Sequence, residues 1–307
     1  MRISVVIATM NRPADLEKAL VSVLAQTRLP EEIWVIDQST DERSKVLCER
    51  LSAERAEGVR IRYVYQEEKS LVKARNRGIG LVTGEILSFL DDDIVLDADY
   101  FEKIHSEFVK DPKLAGVSGN ARVLENWHGW RWGLRKALSN LFLISHYDGR
   151  MTLSGLGYPI FDHEITRVMN VEMLPGCNMN FRVSSIKGET FDEYFSGYSY
   201  REDAEYSYRI SKRGALRQIP DARLWHYYST SNRLSEAELR KMKVKNYDHM
   251  FRKFKGRDPV ARLLFLYTLM GLTVIDLIEY LTQRSGPKKD KLRAGLTATR
   301  SVLRGHD

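Results

Sequence analysis

Three consecutive aspartates, Asp91, Asp92 and Asp93, are the most reactive-looking feature of the chain. Adjacent carboxylates repel one another unless a cation offsets their charge. These three directly follow an apolar run, Glu85 to Leu90, so they stand at the end of a strand. On extended backbone Asp91 and Asp93 flank Asp92 and share one side. A hard divalent ion such as Mg²⁺ or Mn²⁺ suits that pattern, because it takes oxygen ligands and leaves further positions to phosphate. A second acidic pair, Glu202-Asp203, follows an aromatic stretch and opens a predicted helix. There the helix dipole and free N–H groups favour negative charge. Two acidic clusters suit a division of labour, one holding a metal and diphosphate, the other acting as base. His226, in Leu-Trp-His-Tyr-Tyr, reads either as a structural histidine or as a further metal or phosphate ligand. The turn Gly176 to Arg182, with Asn178 inside it, carries small and amide groups that could position a substrate.

The elements that must hold these residues follow from periodicity. Residues 3–8, 32–37, 59–65 and 85–90 are short apolar or alternating runs and read as strands. Between and after them, residues 15–26, 41–57, 73–81 and 99–110 carry helical spacing. Such alternation implies βαβ units and a mostly parallel sheet flanked by helices. Ligands of open sheets bind beyond the carboxyl ends of the strands. Thr9, Asn11, Asp37 and Asp91 to Asp93 stand at those ends. Residues 127–144 place Trp127, Trp130, Leu134, Leu138 and Leu141 at helical intervals, and residues 199–213 read as another helix.

Of the 307 residues, the first 232 hold 31 Lys/Arg and 33 Asp/Glu, while residues 233–307 hold 17 and 8. The formal charge of +7 is therefore a property of a basic, helical C-terminal extension. Two cysteines, Cys48 and Cys177, provide no disulfide framework. The N-terminus, Met-Arg-Ile-Ser-Val-Val-Ile-Ala, is too short and strand-like for a signal peptide, which gives a cytoplasmic expectation. Phosphate-loop, dinucleotide-binding, zinc-type and nucleophile-elbow patterns are all missing from the sequence.

With these residues assembled, the chain resembles family 2 glycosyltransferases of the GT-A fold over roughly residues 3–228. The resemblance rests on ordered motifs: Ser4 to Arg12, Val35-Ile-Asp37, Ala74-Arg75-Asn76-Arg77-Gly78, Leu90 to Asp93, Gly176 to Arg182 and Glu202-Asp203. It implies a GT-A catalytic domain over residues 1–232 and a metal-dependent, inverting transfer from a UDP-, GDP- or dTDP-sugar. By that resemblance Thr9, Asn11, Asp37, Arg75 and Asp92 bind the donor nucleotide, with Asp91 on its ribose side. Asp93, with His226, faces Mg²⁺ or Mn²⁺. Asp203 is the base, and Glu202 and Asn178 lie toward the acceptor, a glycan or lipid-linked glycan. The Gln-x-x-Arg-Trp element of processive synthases is missing from residues 205–213, which favours transfer of a single sugar.

Two rival readings remain. A sugar nucleotidyltransferase needs a glycine-rich phosphate loop, and Ala8 to Pro13 contains no glycine. A binder of nucleic acid or another anionic surface would use the basic extension, but its aromatics are too sparse for nucleic acid. Within the extension, residues 263–275 lack charge and basic residues flank them on both sides. That run is short for a bilayer span, and it reads either as a helix in the interface of an anionic membrane or as one packed on the catalytic domain.

Overall fold

The computed structural model describes all residues except 55–57, 124–128, 162, 196, 228–233 and 305–307. They fall into two compact units, residues 1–126 with 160–231, and residues 127–159 with 232–307. The segment 127–159 thus belongs with the C-terminal extension rather than with the sequence that surrounds it. The first unit holds 27 Lys/Arg against 32 Asp/Glu, the second 21 against 9.

The first unit is built on one sheet of nine strands among the described residues. β1 (Ile3–Thr9), β2 (Glu32–Asp37), β3 (Arg60–Tyr65) and β4 (Ile86–Asp91) are parallel, in the order β3-β2-β1-β4. α1 (Pro13–Leu24), α2 (Arg43–Glu54) and α3 (Leu71–Ile79) make the crossovers. Val5, Val6 and Ile7 are buried, as expected for a central strand covered on both faces. Leu16, Leu20 and Val23 of α1 recur on one face and enter the same core.

Beyond β4 the sheet becomes mixed. β5 (Ile94–Leu96) and α4 (Tyr100–Lys110) lead to β6 (Leu114–Val123), followed after the second-unit segment by β7 (Met169–Val171) and β8 (Asn178–Arg182). β8 pairs antiparallel with both β4 and β6. β9 (Ala215–His226) runs parallel to β6 and antiparallel to β5 and β7. α6 (Glu202–Ser211) precedes β9. The parallel half is the part whose alternation of strand and helix shows in the sequence. The mixed half is masked by buried polar side chains such as Asn178, Asn180 and Ser118.

The second unit contains α5 (Trp130–Leu141), α7 (Glu236–Lys255), α8 (Pro259–Gln283) and α9 (Gly286–Arg304). Trp127 lies outside the described residues. Ser235 and Glu238 form a reciprocal capping box at the start of α7, and Asp258 caps α8 ahead of Pro259.

α3 presses unusually close to β1. A Cβ at Gly78 would lie 2.5 Å from Val6 Cγ1. Gly78→Ala therefore costs about 1–3 kcal/mol through overpacking, read as a lower urea midpoint. Adding Val6→Ala at the same contact should recover part of that loss. Simple additivity of the two changes would remove the close-packing explanation.

Candidate functional site

Because β1, β2 and β4 are parallel, their carboxyl ends form one edge. Thr9 pairs in register with Asp37, and Ala8 with Asp91. The chain turns through Asp92 and Asp93 into β5, whose Ile94 is the register partner of His226 at the end of β9. Tyr227 N donates to the Asp93 carbonyl at 3.0 Å and closes that junction. As a result one ligand atom each from Asp91, Asp93 and His226 lie within 4.8 Å of one another. His226 Nε2 is 3.0 Å from Asp93 Oδ1.

The charges here are under strain. Burial raises the pKa of Asp91, and Asp93 and Asp203 add to the effect, while Arg75 and His226 oppose it. Burial opposes charge on His226, but Cys177 and Asp93 outweigh it and hold its pKa well above the ordinary value. Two carboxylates and an imidazole fit a divalent ion of the Mn²⁺ or Mg²⁺ type, and the imidazole leans toward the transition metal. An ion bound there would replace the proton His226 shares with Asp93. Asp92 is different. Its Oδ2 accepts from Thr9 Oγ1 at 2.7 Å and its Oδ1 faces Arg12 Nη1 at 3.2 Å. Burial pushes its pKa up to about 7. Asp92 thus anchors the turn to β1 and α1, with its side chain turned to Thr9 and Arg12.

The second acidic pair reaches the same edge through Arg75. This guanidinium, only 3% exposed, donates to Glu202 Oε1 at 2.8 Å, to Asp91 Oδ1 at 3.3 Å and to the Gly176 carbonyl at 3.1 Å. Glu202 is pushed up to about 8, by burial first and Asp203 second, against the pull of Arg75. Asp203 is half-buried, and its Oδ2 accepts from Gly176 N at 2.9 Å. A Cβ on Gly176 would stand 3.2 Å from that oxygen and 3.3 Å from Arg75 Nη2, so the position has little room for a side chain.

The model of glycosyl transferase family 2 matches residues 4–174, more than half of the chain. The chain belongs to glycosyl transferase family 2. Glycosyltransferase GlyA of Streptococcus pneumoniae is 30% identical over 109 residues, covering 36% of this chain and 15% of that protein. Glucosyl-dolichyl phosphate glucuronosyltransferase of Haloferax volcanii is 27% identical over 130 residues, covering 41% of this chain and 40% of that protein. The chain thus spans well under two thirds of either relative. The mannosyltransferase PcManGT from Pyrobaculum calidifontis, solved with GDP-Man and Mn²⁺, superposes with a TM-score of 0.61. It shares 14% identity, and the match covers 100% of this chain and 88% of that one. At that identity the likeness shows the fold, which is GT-A.

Within this family 2 domain the remaining residues picked out by sequence separate into two groups. Asn11 adopts φ 57° at the end of β1, and its Oδ1 accepts from Thr40 N at 3.0 Å. It stands at the carboxyl edge beside Asp37. Asp37 is fully buried: Oδ1 accepts from Ser39 N at 2.9 Å and Oδ2 from Tyr63 OH at 3.0 Å. Asn178 does not reach the crevice. It is fully buried, its Oδ1 accepts from Gly119 N at 2.6 Å, and it ties β8 to β6. Asn178, expected from the sequence to lie toward the acceptor, thus sits in the core of the sheet.

Residues not singled out include Arg12, Cys177 and Asn76. Asn76 exchanges two hydrogen bonds with the backbone of Phe191, at 3.0 and 2.7 Å, clamping the aromatic loop ahead of Glu202. The Ala-Arg-Asn-Arg-Gly motif was the available signal: Arg75 ties the acidic groups, Asn76 the loop, and Gly78 the packing on β1.

Arg75→Met leaves Asp91, Glu202 and the Gly176 carbonyl without their shared donor, and the expected loss is about 1–3 kcal/mol, the usual cost of unsatisfied buried polar groups. Thermal unfolding at neutral pH measures it. Arg75→Lys keeps the charge without the planar fork and should recover only part. A wild-type melting curve for Arg75→Met would show that the guanidinium is not what holds these groups.

Proposed function

We propose that the chain transfers a single sugar from a nucleotide-sugar donor to an acceptor hydroxyl, with inversion and with a divalent ion. The supporting observation is the junction at the carboxyl edge of the sheet. Asp91, Asp93 and His226 converge there, and Arg75 connects them to the pair Glu202 and Asp203. On this reading Asp91, Asp93 and His226 hold Mn²⁺ or Mg²⁺, and the ion supplies neutralisation of charge growing on the diphosphate leaving group. The mannosyltransferase solved with GDP-Man and Mn²⁺ supports that choice of cofactor and donor class. Thr9 and Asn11 after β1, with Ser39 in the loop after β2, form the wall for the base of a UDP-, GDP- or dTDP-sugar, with Asp37 bracing the second loop from behind.

Asp203 is the general base. Its carboxylate is held by the Gly176 N–H and is half-buried rather than enclosed. It takes the proton of the acceptor hydroxyl as that oxygen attacks the anomeric carbon. Attack from the face opposite the diphosphate inverts the configuration. Glu202 is kept against Arg75 and so fixes the start of α6, which aims Asp203. The acceptor is a glycan or a lipid-linked glycan, in keeping with the glucosyl-dolichyl phosphate in the archaeal relative's name. Residues 1–232 contain this chemistry.

A donor panel of UDP-, GDP- and dTDP-sugars with Mn²⁺ or Mg²⁺ tests the reading. Nucleoside diphosphate release from one donor is expected, and a chelator should abolish it. Asp203→Asn should lower the transfer rate by about 10²–10⁴-fold, the usual contribution of a general base, while donor binding by calorimetry is unchanged. Failure of every donor to bind would overturn the proposal.

A further inference from the structure

α8 is a helix of 25 residues, long and apolar enough by length and composition to cross a membrane. Its two faces differ, and the difference decides how it can meet one. The inner face buries Phe265, Leu269, Leu272 and Ile275 in the second unit. On the same side Asp276, 2% exposed, pairs with Arg240 Nε of α7 at 2.7 Å and with Lys291 Nζ of α9 at 3.4 Å. Glu279 pairs with Arg135 of α5 and with Lys291 at 2.5 Å. These two carboxylates and three cations join four helices. A spanning α8 would have to break them and carry both acids into hydrocarbon, where unpaired charge is strongly disfavoured.

The outer face has the opposite character. Leu263, Met270, Leu277 and Leu281 are 68%, 52%, 42% and 56% exposed, and Leu266 lies between the first two. Their spacing of three, four and seven residues puts them on one side of the helix. No charged residue interrupts that stripe between Arg262 and Arg284. α5 is fastened alongside: Thr268 Oγ1 donates to the Phe142 carbonyl at 2.8 Å and Tyr267 OH to the Leu141 carbonyl at 3.2 Å. Gly271 permits this approach, since a Cβ there would meet the Phe142 ring at 2.1 Å. α5 adds Trp130 and Leu141, 68% and 60% exposed. Exposed arginines and lysines stand at both ends of the stripe, Arg257 and Arg262 before it, Arg284, Lys289 and Arg293 after it.

An apolar stripe with basic ends complements a surface that is hydrocarbon beneath and anionic on top. We propose that this unit docks flat on an anionic lipid membrane, with α8 in the plane of the headgroups, its stripe inserted, and no segment of it crossing. The partner is the membrane surface itself, and the binding needs neither sugar donor nor metal. It therefore stands or falls separately from the catalytic reading.

The experiment is flotation of the full chain, without donor, with vesicles of phosphatidylcholine alone and of phosphatidylcholine mixed with phosphatidylglycerol. Preferential flotation with the mixed vesicles is expected, weakened by salt and reversed by alkaline carbonate. Met270→Glu alters an exposed position and should lower partitioning roughly ten- to a hundredfold, the worth of one large apolar side chain. Arg284→Glu with Lys289→Glu should weaken binding to the mixed vesicles without touching the stripe. Failure to float with either vesicle, or equal flotation with both, would overturn the proposal. So would resistance to carbonate, which marks a spanning helix. A soluble dimer that Met270→Glu converts to monomer would also overturn it, by making a second copy the occupant.

Discussion

Several carboxylates crowd the carboxyl edge of the sheet, and Arg75 is the buried cation that links their two clusters, while Arg12 faces Asp92 and His226 faces Asp93. At about 4 Å and an effective dielectric near 20, a pair of like charges costs roughly 4 kcal/mol, so the cluster cannot be built from acids alone. Arg75 touches one acid from each cluster, Asp91 and Glu202, and the carbonyl of Gly176 between them. That placement fixes the position of α3 relative to α6, and with it the direction of Asp203. Even so the compensation is incomplete. Asp91 and Glu202 keep raised pKa values despite the guanidinium, and burial is the first cause in both. Acids whose pKa values stay raised beside an arginine would lose protons more readily with a divalent cation next to them.

The sheet delivers these groups by two different means. Parallel pairing of β1, β2 and β4 aligns their ends automatically, since parallel strands finish at the same edge. His226 arrives by another route. The short strand β5 leaves the aspartate turn and pairs antiparallel with β9, which lays the last residue of β9 beside the first of β5. Three residues of pairing are therefore enough to bring a histidine from far along the chain to Asp93. The same turn directs Asp91 and Asp93 to one side and Asp92 to Thr9 and Arg12, so the middle aspartate stabilises what the outer two present.

This division explains what could be read in the sequence. Strands β1 to β4 and the acidic turn were legible because hydrophobic runs adjacent in sequence become neighbours in space. The role of His226 stayed open between structural and ligating because a β5–β9 pairing leaves no periodic trace. Residue type and strand position leave the direction of a side chain open at two positions. Asn178 is polar and follows a glycine turn, yet its amide is spent on Gly119 and it lies fully inside the sheet. Asp37 ends a strand at the expected edge, yet its carboxylate braces Ser39 and Tyr63. Sequence gives the chemistry of a side chain and its strand, while its direction depends on partners contributed from elsewhere. The grouping of residues 127–159 with the extension was hidden for a similar reason: α5 fits α8 through Gly271 and Phe142, far apart in the chain.

The charge division between the two units bears on how a donor would arrive. A nucleotide sugar carries a negatively charged diphosphate, and the unit with the crevice holds more acids than bases. Its field does not steer such a ligand inward, and near Asp91 and Asp93 it opposes entry. On the proposed reading the attraction must come with a divalent ion, either already seated or carried on the diphosphate itself. In the basic unit the exposed Arg257, Arg262, Arg284, Lys289 and Arg293 flank an apolar stripe. A bilayer answers both parts of that surface, whereas a diphosphate answers only the charge.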